Sequence, residues 1–353
     1  MRNVTLEMHR QALEFYQRQL GSRPDGWASV HLRDRGLAAA LGDPAWGIGY
    51  APASWTGLTD HLRKAGFTDE SLVTAGLAAP TINGYLIDRF RDRLMFAAEN
   101  ADMEVAGFVG RARGGLVRYL NSPTTEIYCK SEATVGLVAQ CGKLLRGATP
   151  VLVEGVMDAL AVDQLGSRWA GIAICGTAVT RQHALTIRQL SPANKIVMAF
   201  DPDLGGRLGA VRGLNALDGV FGAVQAAALP DGHDPAKLFQ RSPARLLECL
   251  DSAVPLAEFA IDVELAKWAP VLDHLSGQVN ALRAVAPFVR QLPSAQVAQQ
   301  IARLSERLDL EVAVVSREVL TPVRSGSGRS TARKPTGWGG DVLAEGPGNS
   351  RTP

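Results

Sequence analysis

The chain has 353 residues, 46% of them hydrophobic and 20% charged, so it carries enough apolar side chain for two or three packed domains. Lysines and arginines number 37 against 35 aspartates and glutamates, a formal net charge of +2. That balance excludes a partner recognised by overall charge, and contact with a polyanion has to come from clustered arginines. The four cysteines (Cys129, Cys141, Cys175 and Cys249) form no CxxC pair, so no zinc module is legible and a reducing cytoplasm is expected. The first residues lack the apolar core of a signal peptide, and no apolar run reaches the length of a membrane span.

Residues 8–80 read as mainly helical. Leu13, Tyr16 and Leu20 share one face of a helix over 9–20, and a Gly/Pro/Asp stretch over 21–26 ends it. Further helical patterns cover 27–41 and 56–65. Residues 81–150 change character: 94–96 and 105–109 predict strands, punctuated by Gly107, Gly110, Gly114 and Gly115. Arg89, Arg91, Arg93, Arg111, Arg113 and Arg118 crowd into this stretch. Alternate spacing on a strand places Arg89, Arg91 and Arg93 on one face; pairing of one or two of them with Asp88 and Asp92 is the other reading.

Residues 151–250 alternate short apolar runs (151–153, 172–175, 196–200, 223–229) with helical patterns. This predicts a mainly parallel α/β sheet covered by helices. A helical segment follows over 254–320, with Leu304, Leu308, Val312 and Val315 expected in its core. Residues 321–353 are rich in Gly, Ser, Pro and Arg and read as a disordered tail. The expected division is therefore a mixed α+β lobe over 1–150, an α/β unit over 151–250, a helical subdomain over 251–320 and the tail.

Three acidic segments carry the chemistry. The strand at 151–153 ends in Glu154, Gly155 turns the chain, and Asp158 follows in the first helical turn. Functional groups gather at the carboxyl ends of parallel strands, although a first-turn aspartate also suits a helix N-terminus whatever its function. The strand at 196–200 ends in Asp201-Pro202-Asp203. Two carboxylates held this close repel each other unless a cation joins them, and hard oxygen donors select Mg²⁺ or Mn²⁺. A simple turn is the competing reading, since Asp and Pro both favour turns. Asp231-Gly232-His233-Asp234-Pro235 follows the next apolar run. Alone it is a loop, but three acidic strand ends in succession make a shared site.

Glu-Gly-x-x-Asp followed by Asp-x-Asp-x-x-Gly in a small parallel α/β unit resembles the TOPRIM signature of primases, topoisomerases and some nucleases. Upstream, His31-Leu32-Arg33-Asp34-Arg35-Gly36-Leu37 and Gly47-Ile48-Gly49-Tyr50-Ala51-Pro52 resemble the catalytic core of bacterial DnaG-type primases. So do Asp88-Arg89-Phe90-Arg91-Asp92-Arg93, Gly107-Phe108-Val109-Gly110-Arg111, Arg118-Tyr119-Leu120-Asn121-Ser122-Pro123 and Tyr128-Cys129-Lys130. The order is that of the family, and the resemblance runs from about residue 8 to 320. It implies synthesis of short RNA primers on single-stranded DNA from ribonucleoside triphosphates. Glu154, Asp201 and Asp203 match the catalytic and metal-binding acids, with Asp158 in support and Asp234 as the acid of the third segment. Arg35, Arg89, Arg91, Arg111, Arg118, Asn121 and Lys130 match positions facing nucleotide and template. Phosphoryl transfer needs positioning and charge stabilisation above all, which such a set supplies.

The resemblance also implies Mg²⁺ or Mn²⁺; the unpaired cysteines lead to an expectation of no zinc, the short apolar runs to one of no membrane, and a monomer is expected. Ala236 departs from the family, which usually has a second aspartate there, and Arg118 stands where a lysine is common. A zinc-binding domain before residue 8 and a helicase-binding domain after residue 320 are not expected, so a separate zinc-domain or helicase protein is a possible partner. The competing function is a non-priming TOPRIM protein, either a metal-dependent nuclease or a single-strand binding remnant of a mobile element.

Overall fold

The computed structural model describes residues 2–175, 178–201, 204–290, 292 and 294–321, without the side chains of 204–208, 210, 211 and 295. Asp203 and all but the first residue of the expected tail lie outside the described residues.

Helices α1 (Arg2–Gly21) and α2 (Trp27–Asp34) open the chain, followed by strand β1 (Ile48–Ala51) and helices α3 (Gly57–Lys64) and α4 (Asp69–Thr74). Strands β2 (Ala78–Pro80), β3 (Leu86–Asp88), β4 (Arg93–Glu99), β5 (Val105–Ala112), β6 (Tyr119–Asn121) and β7 (Thr134–Val135) complete the first lobe. Helix α5 (Leu137–Leu145) leads into β8 (Thr149–Val153), α6 (Val156–Asp163), β9 (Trp169–Ile174), α7 (Arg181–Leu190), β10 (Lys195–Met198) and α8 (Leu204–Leu217). Then come β11 (Ala223–Ala226), α9 (Pro235–Arg241), α10 (Pro243–Asp251) and β12 (Val254–Pro255). Four helices follow: α11 (Leu256–Trp268), α12 (Leu275–Val289), α13 (Ser294–Leu308) and α14 (Val312–Leu320).

One ten-stranded sheet runs through both halves in the order β12-β11-β10-β8-β9-β7-β4-β5-β6, with β1 paired to β4. Strands β11, β10, β8 and β9 are mutually parallel, whereas β7 joins antiparallel to both β9 and β4. Strands β8, β9 and β10 are buried on both faces, which is why their sequences are apolar runs, whereas β11 nearer the edge is half-buried and admits Gln225. Val151, Val153 and Val197 pack with α6, α9 and α10 on one face; Leu152, Ile196 and Met198 pack with the α11–α14 helices on the other. Helix α6 lies directly on β9: a Cβ at Gly171 would stand 2.4 Å from the Ala159 carbonyl oxygen, so only glycine fits.

Three expectations are corrected. Arg89 and Arg91 precede β4 and do not share a strand face with Arg93, because Asp92 adopts a positive φ of 47° that breaks the strand. Their partners are carbonyls and a ring: Arg89 donates to the Asn121 oxygen at 2.9 Å, and Arg91 donates to the Asp88 carbonyl and stacks on exposed Trp55. The Asp88 and Asp92 carboxylates are taken by Leu58, Thr59, Trp27 and Tyr50. Val312 is exposed while Leu304, Leu308 and Val315 are buried, because the break at Asp309 (φ 50°) resets the helical phase between α13 and α14. The segment expected to be helical from 254 opens with strand β12, paired to β11. Among the described residues, no helix is long and apolar enough to cross a membrane.

Candidate active site

The cleft forms where the parallel strands end. Strand β8 delivers half-buried Glu154, and Gly155 is the N-cap of α6 with extended backbone. A Cβ at Gly155 would meet an Asp158 carboxylate oxygen at 2.5 Å, so the glycine lets Asp158 fold back over its own helix start. Asp158 is 7% exposed, and its Oδ1 accepts the Ala236 backbone N–H at 2.9 Å. It thus faces its own helix N-terminus and also ties α6 to α9. Burial, then the nearby Asp234 and Asp201 carboxylates, push its carboxyl up to about 8.

Asp201 leaves β10 half-buried, and its backbone N–H donates to Glu154 Oε1 at 3.2 Å. This bond couples the ends of the two central strands. Asp234 caps α9, its Oδ1 accepting the Lys237 N–H at 2.7 Å. Helix α9 also reaches the first lobe, where Gln240 Nε2 donates to the Asp34 carbonyl at 2.8 Å. That contact holds the end of α2, and with it Arg35, over the acids.

The opposite wall comes from β5, β6 and the loop between them. Arg111 on β5 is buried, and among the described residues its buried Nε has no hydrogen-bond partner. Its guanidinium lies 5.9 Å from the centre of the Tyr119 ring. Burial first, then Arg111 and Arg35, hold the His31 imidazole down at about 4. His31 is therefore neutral behind the basic wall at neutral pH.

The two walls enclose a cleft of about 480 Å³, within the size range of ligand sites. Arg35, Arg111, Arg118, Asn121, Glu154, Asp158, Asp201 and Asp234 all line it. Lys130 is not in this lining, but its charge reaches Cys175, which does line it: burial pushes that thiol up to about 12, and Lys130 opposes the rise. Arg89 acts from behind by holding Asn121, and Arg91 lies away from the lining. Sequence reasoning assigned no role to Tyr119, Lys237 or His31. Lys237 carried a signal, three residues after Asp234 and so on the same helix face.

All four described acids in the lining offer carboxylate oxygens, the donors a hard divalent ion prefers. Among the described residues no three His, Cys, Asp or Glu groups stand close enough to hold a metal ion. The donor chemistry fits such an ion, and Asp203, which would bring the fifth carboxylate, lies outside the described residues.

Comparison with known proteins settles the family. Residues 15–139 match the family "DNA primase catalytic core, N-terminal domain", and residues 151–239 match "Toprim-like". The RNA polymerase domain of Mycobacterium tuberculosis primase DnaG, solved with double-stranded DNA, superposes with a TM-score of 0.68 at 30% identity. That match covers 88% of this chain and 99% of that one. The chain belongs to the DnaG-type primase family. A DNA primase domain from Pseudomonas aeruginosa is similar at a TM-score of 0.71 and 29% identity, over 89% of this chain and 99% of that one. The DNA primase of Streptomyces coelicolor is 32% identical over 322 residues, 88% of this chain and 49% of the relative. This primase-family chain spans about half the length of the curated relatives it matches. The mixed α/β architecture with a parallel TOPRIM sheet and trailing helices agrees with the sequence expectation. Primases of the TOPRIM class use divalent metal ions.

Proposed function

We propose that this chain joins ribonucleoside triphosphates into short RNA on single-stranded DNA, as a primase-type nucleotidyltransferase. The observation that carries the reading is the opposition, across one cleft, of strand-end carboxylates and an arginine-rich wall. A DnaG catalytic domain solved with single-stranded DNA, 26% identical at a TM-score of 0.70, supports the choice of partner.

In this reading Glu154, Asp201 and Asp203 hold Mg²⁺ or Mn²⁺, with Asp158 and Asp234 in support and no zinc. A divalent ion held by these carboxylates would supply charge stabilisation for the transferring phosphoryl group and would acidify the attacking hydroxyl. Glu154 accepts the proton of that 3′-hydroxyl or shares in holding the ion. Arg35, Arg111 and Arg118 neutralise phosphates, and the buried Nε of Arg111, without a hydrogen-bond partner among the described residues, is a donor already desolvated for that purpose. Asn121 is oriented by Arg89, while Lys130 and Arg91 contact template beyond the cleft. We assign 1–150 to the core lobe, 151–250 to the TOPRIM unit and 251–320 to the helical subdomain of a monomer.

The test is RNA synthesis from labelled ribonucleotides on single-stranded DNA, with and without a pre-annealed short RNA. Metal-dependent RNA products are expected. No product in either format, with Mg²⁺ or with Mn²⁺, overturns the reading.

The basic wall makes its own prediction. An Arg111→Ala, Arg118→Ala variant binds single-stranded DNA more weakly, and its log affinity falls less steeply with log salt, by roughly 0.7 per lost phosphate contact. Fluorescence anisotropy across a salt series measures this. An unchanged slope places the template elsewhere.

A further inference from the structure

The third acidic segment is wired differently from the first two. Asp234 has both oxygens engaged by one residue: Oδ1 accepts the Lys237 N–H at 2.7 Å, and Oδ2 stands 3.2 Å from the Lys237 ammonium. The side chain of Asp234 is 22% exposed and that of Lys237 54%, so the pair sits at the cleft wall with the lysine tip in solvent. Of the two residues between them, Ala236 is 2% exposed and contributes only its N–H, which is spent on Asp158. No carboxylate at 236 competes for the ammonium. On the next helix, the i,i+3 pair of Arg245 with Glu248 is 60% and 63% exposed and outside the cleft lining, an ordinary solvated pair. The Lys237–Asp234 pair differs in being partly desolvated and in facing Glu154 and Asp201 across the same space.

A lysine ammonium is a mobile point charge on a flexible stem and a good ligand for phosphate. We propose that Lys237 is a built-in cation of the cleft, neutralising Asp234 where a divalent ion would otherwise do so and turning to the triphosphate of an incoming nucleotide. The nucleotide half of this rests on the function proposed above; the neutralisation of Asp234 does not. The consequence is a cleft that takes up fewer divalent ions than its count of acids suggests, because one acid is already paired. Lys237 also becomes a contact for the nucleotide before any metal arrives.

The experiment is a Mn²⁺ titration of the whole chain followed by electron paramagnetic resonance, on the wild type, Lys237→Met and Lys237→Arg. Both substitutions keep the backbone N–H that Asp234 caps, and thermal melts confirm that the fold is retained. Lys237→Met is expected to take up one more Mn²⁺ per chain, or to bind its ions several-fold more tightly, and Lys237→Arg to match the wild type. Binding of a non-hydrolysable ribonucleoside triphosphate in chelator is expected to weaken several-fold in Lys237→Met alone. Identical Mn²⁺ uptake by the wild type and Lys237→Met overturns the proposal. The readouts are independent of RNA synthesis. A chain that makes no RNA but gains Mn²⁺ on losing Lys237 keeps the cation role and loses the function. A chain that makes RNA with unchanged Mn²⁺ uptake does the reverse.

Discussion

Glu154→Gln is expected to slow nucleotide addition by ~10²-fold or more, with little change in folding stability. A hundredfold loss corresponds to about 2.7 kcal/mol of transition-state stabilisation, within reach of one lost proton acceptor or metal ligand. The fold has little stake in the charge. Glu154 is half-buried, its Oε1 accepts the Asp201 N–H at 3.2 Å, and glutamine offers that N–H the same oxygen. The effect should fall on kcat, with a smaller change in KM for the nucleotide, because the group acts as charge develops and not in ground-state binding. Asp201→Asn is expected to behave alike, and a double replacement of Asp201 and Asp203 to leave no measurable activity. Steady-state kinetics in Mg²⁺ and in Mn²⁺, beside urea melts, measure both sides. A Glu154→Gln enzyme with wild-type kcat would remove this residue from the chemistry.

The sequence made the acids legible for a physical reason. A parallel strand buried on both faces must be apolar throughout, so the first carboxylate after 151–153 or 196–200 marks where the strand leaves the core. Glu154 and Asp201 stand at those exits, and the helices between the strands followed from the same alternation. The opposite wall was legible only as a crowding of arginines. Arg111 reaches the cleft because β5 pairs with β4 and the sheet carries through β7 to β9, and β7 is only two residues long. No periodicity announces so short a strand. Arg89 and Arg91 were misplaced because even spacing ignores the left-handed turn at Asp92, which a non-glycine residue adopts rarely. Lys237 escaped because its meaning depends on which face of α9 meets the cleft, a property of packing and not of the Asp-Pro-Ala-Lys run itself.

Glu99 went unremarked in the sequence for the same reason, and replacing it is expected to produce the largest loss of stability outside the cleft. It ends β4 in a run of buried residues and is 2% exposed, where an unpaired charge has no place. Its Oε2 accepts the Leu137 N–H at 2.8 Å and its Oε1 the Val138 N–H at 3.4 Å, so it caps α5 from a neighbouring strand. Those first-turn donors have no partner within their own helix. Glu99→Ala leaves the buried Leu137 N–H without its acceptor, at about 1–3 kcal/mol for a buried orphan, and the part-buried Val138 N–H with less at stake. The combined loss, about 2–4 kcal/mol, is a large part of the 5–15 kcal/mol that holds a typical domain together. Glu99→Gln keeps an acceptor and should lose far less. The glutamine also isolates the charge. Burial raises the Glu99 carboxyl to about 8, opposed by the α5 N–H groups, whereas in the unfolded chain it titrates near 4.5. Between these values the folded chain binds the proton and the unfolded chain does not. The contribution of this group to stability is therefore complete below about pH 4.5 and is lost as the pH rises through about 8. Urea melts of the wild type should weaken from pH 5 to pH 8.5 more than those of Glu99→Gln, so the glutamine variant gains on the wild type as the solution becomes alkaline. Parallel pH profiles for the two proteins would mean that Glu99 is already ionised at pH 5, held so by the N-terminus of α5 against the pull of burial.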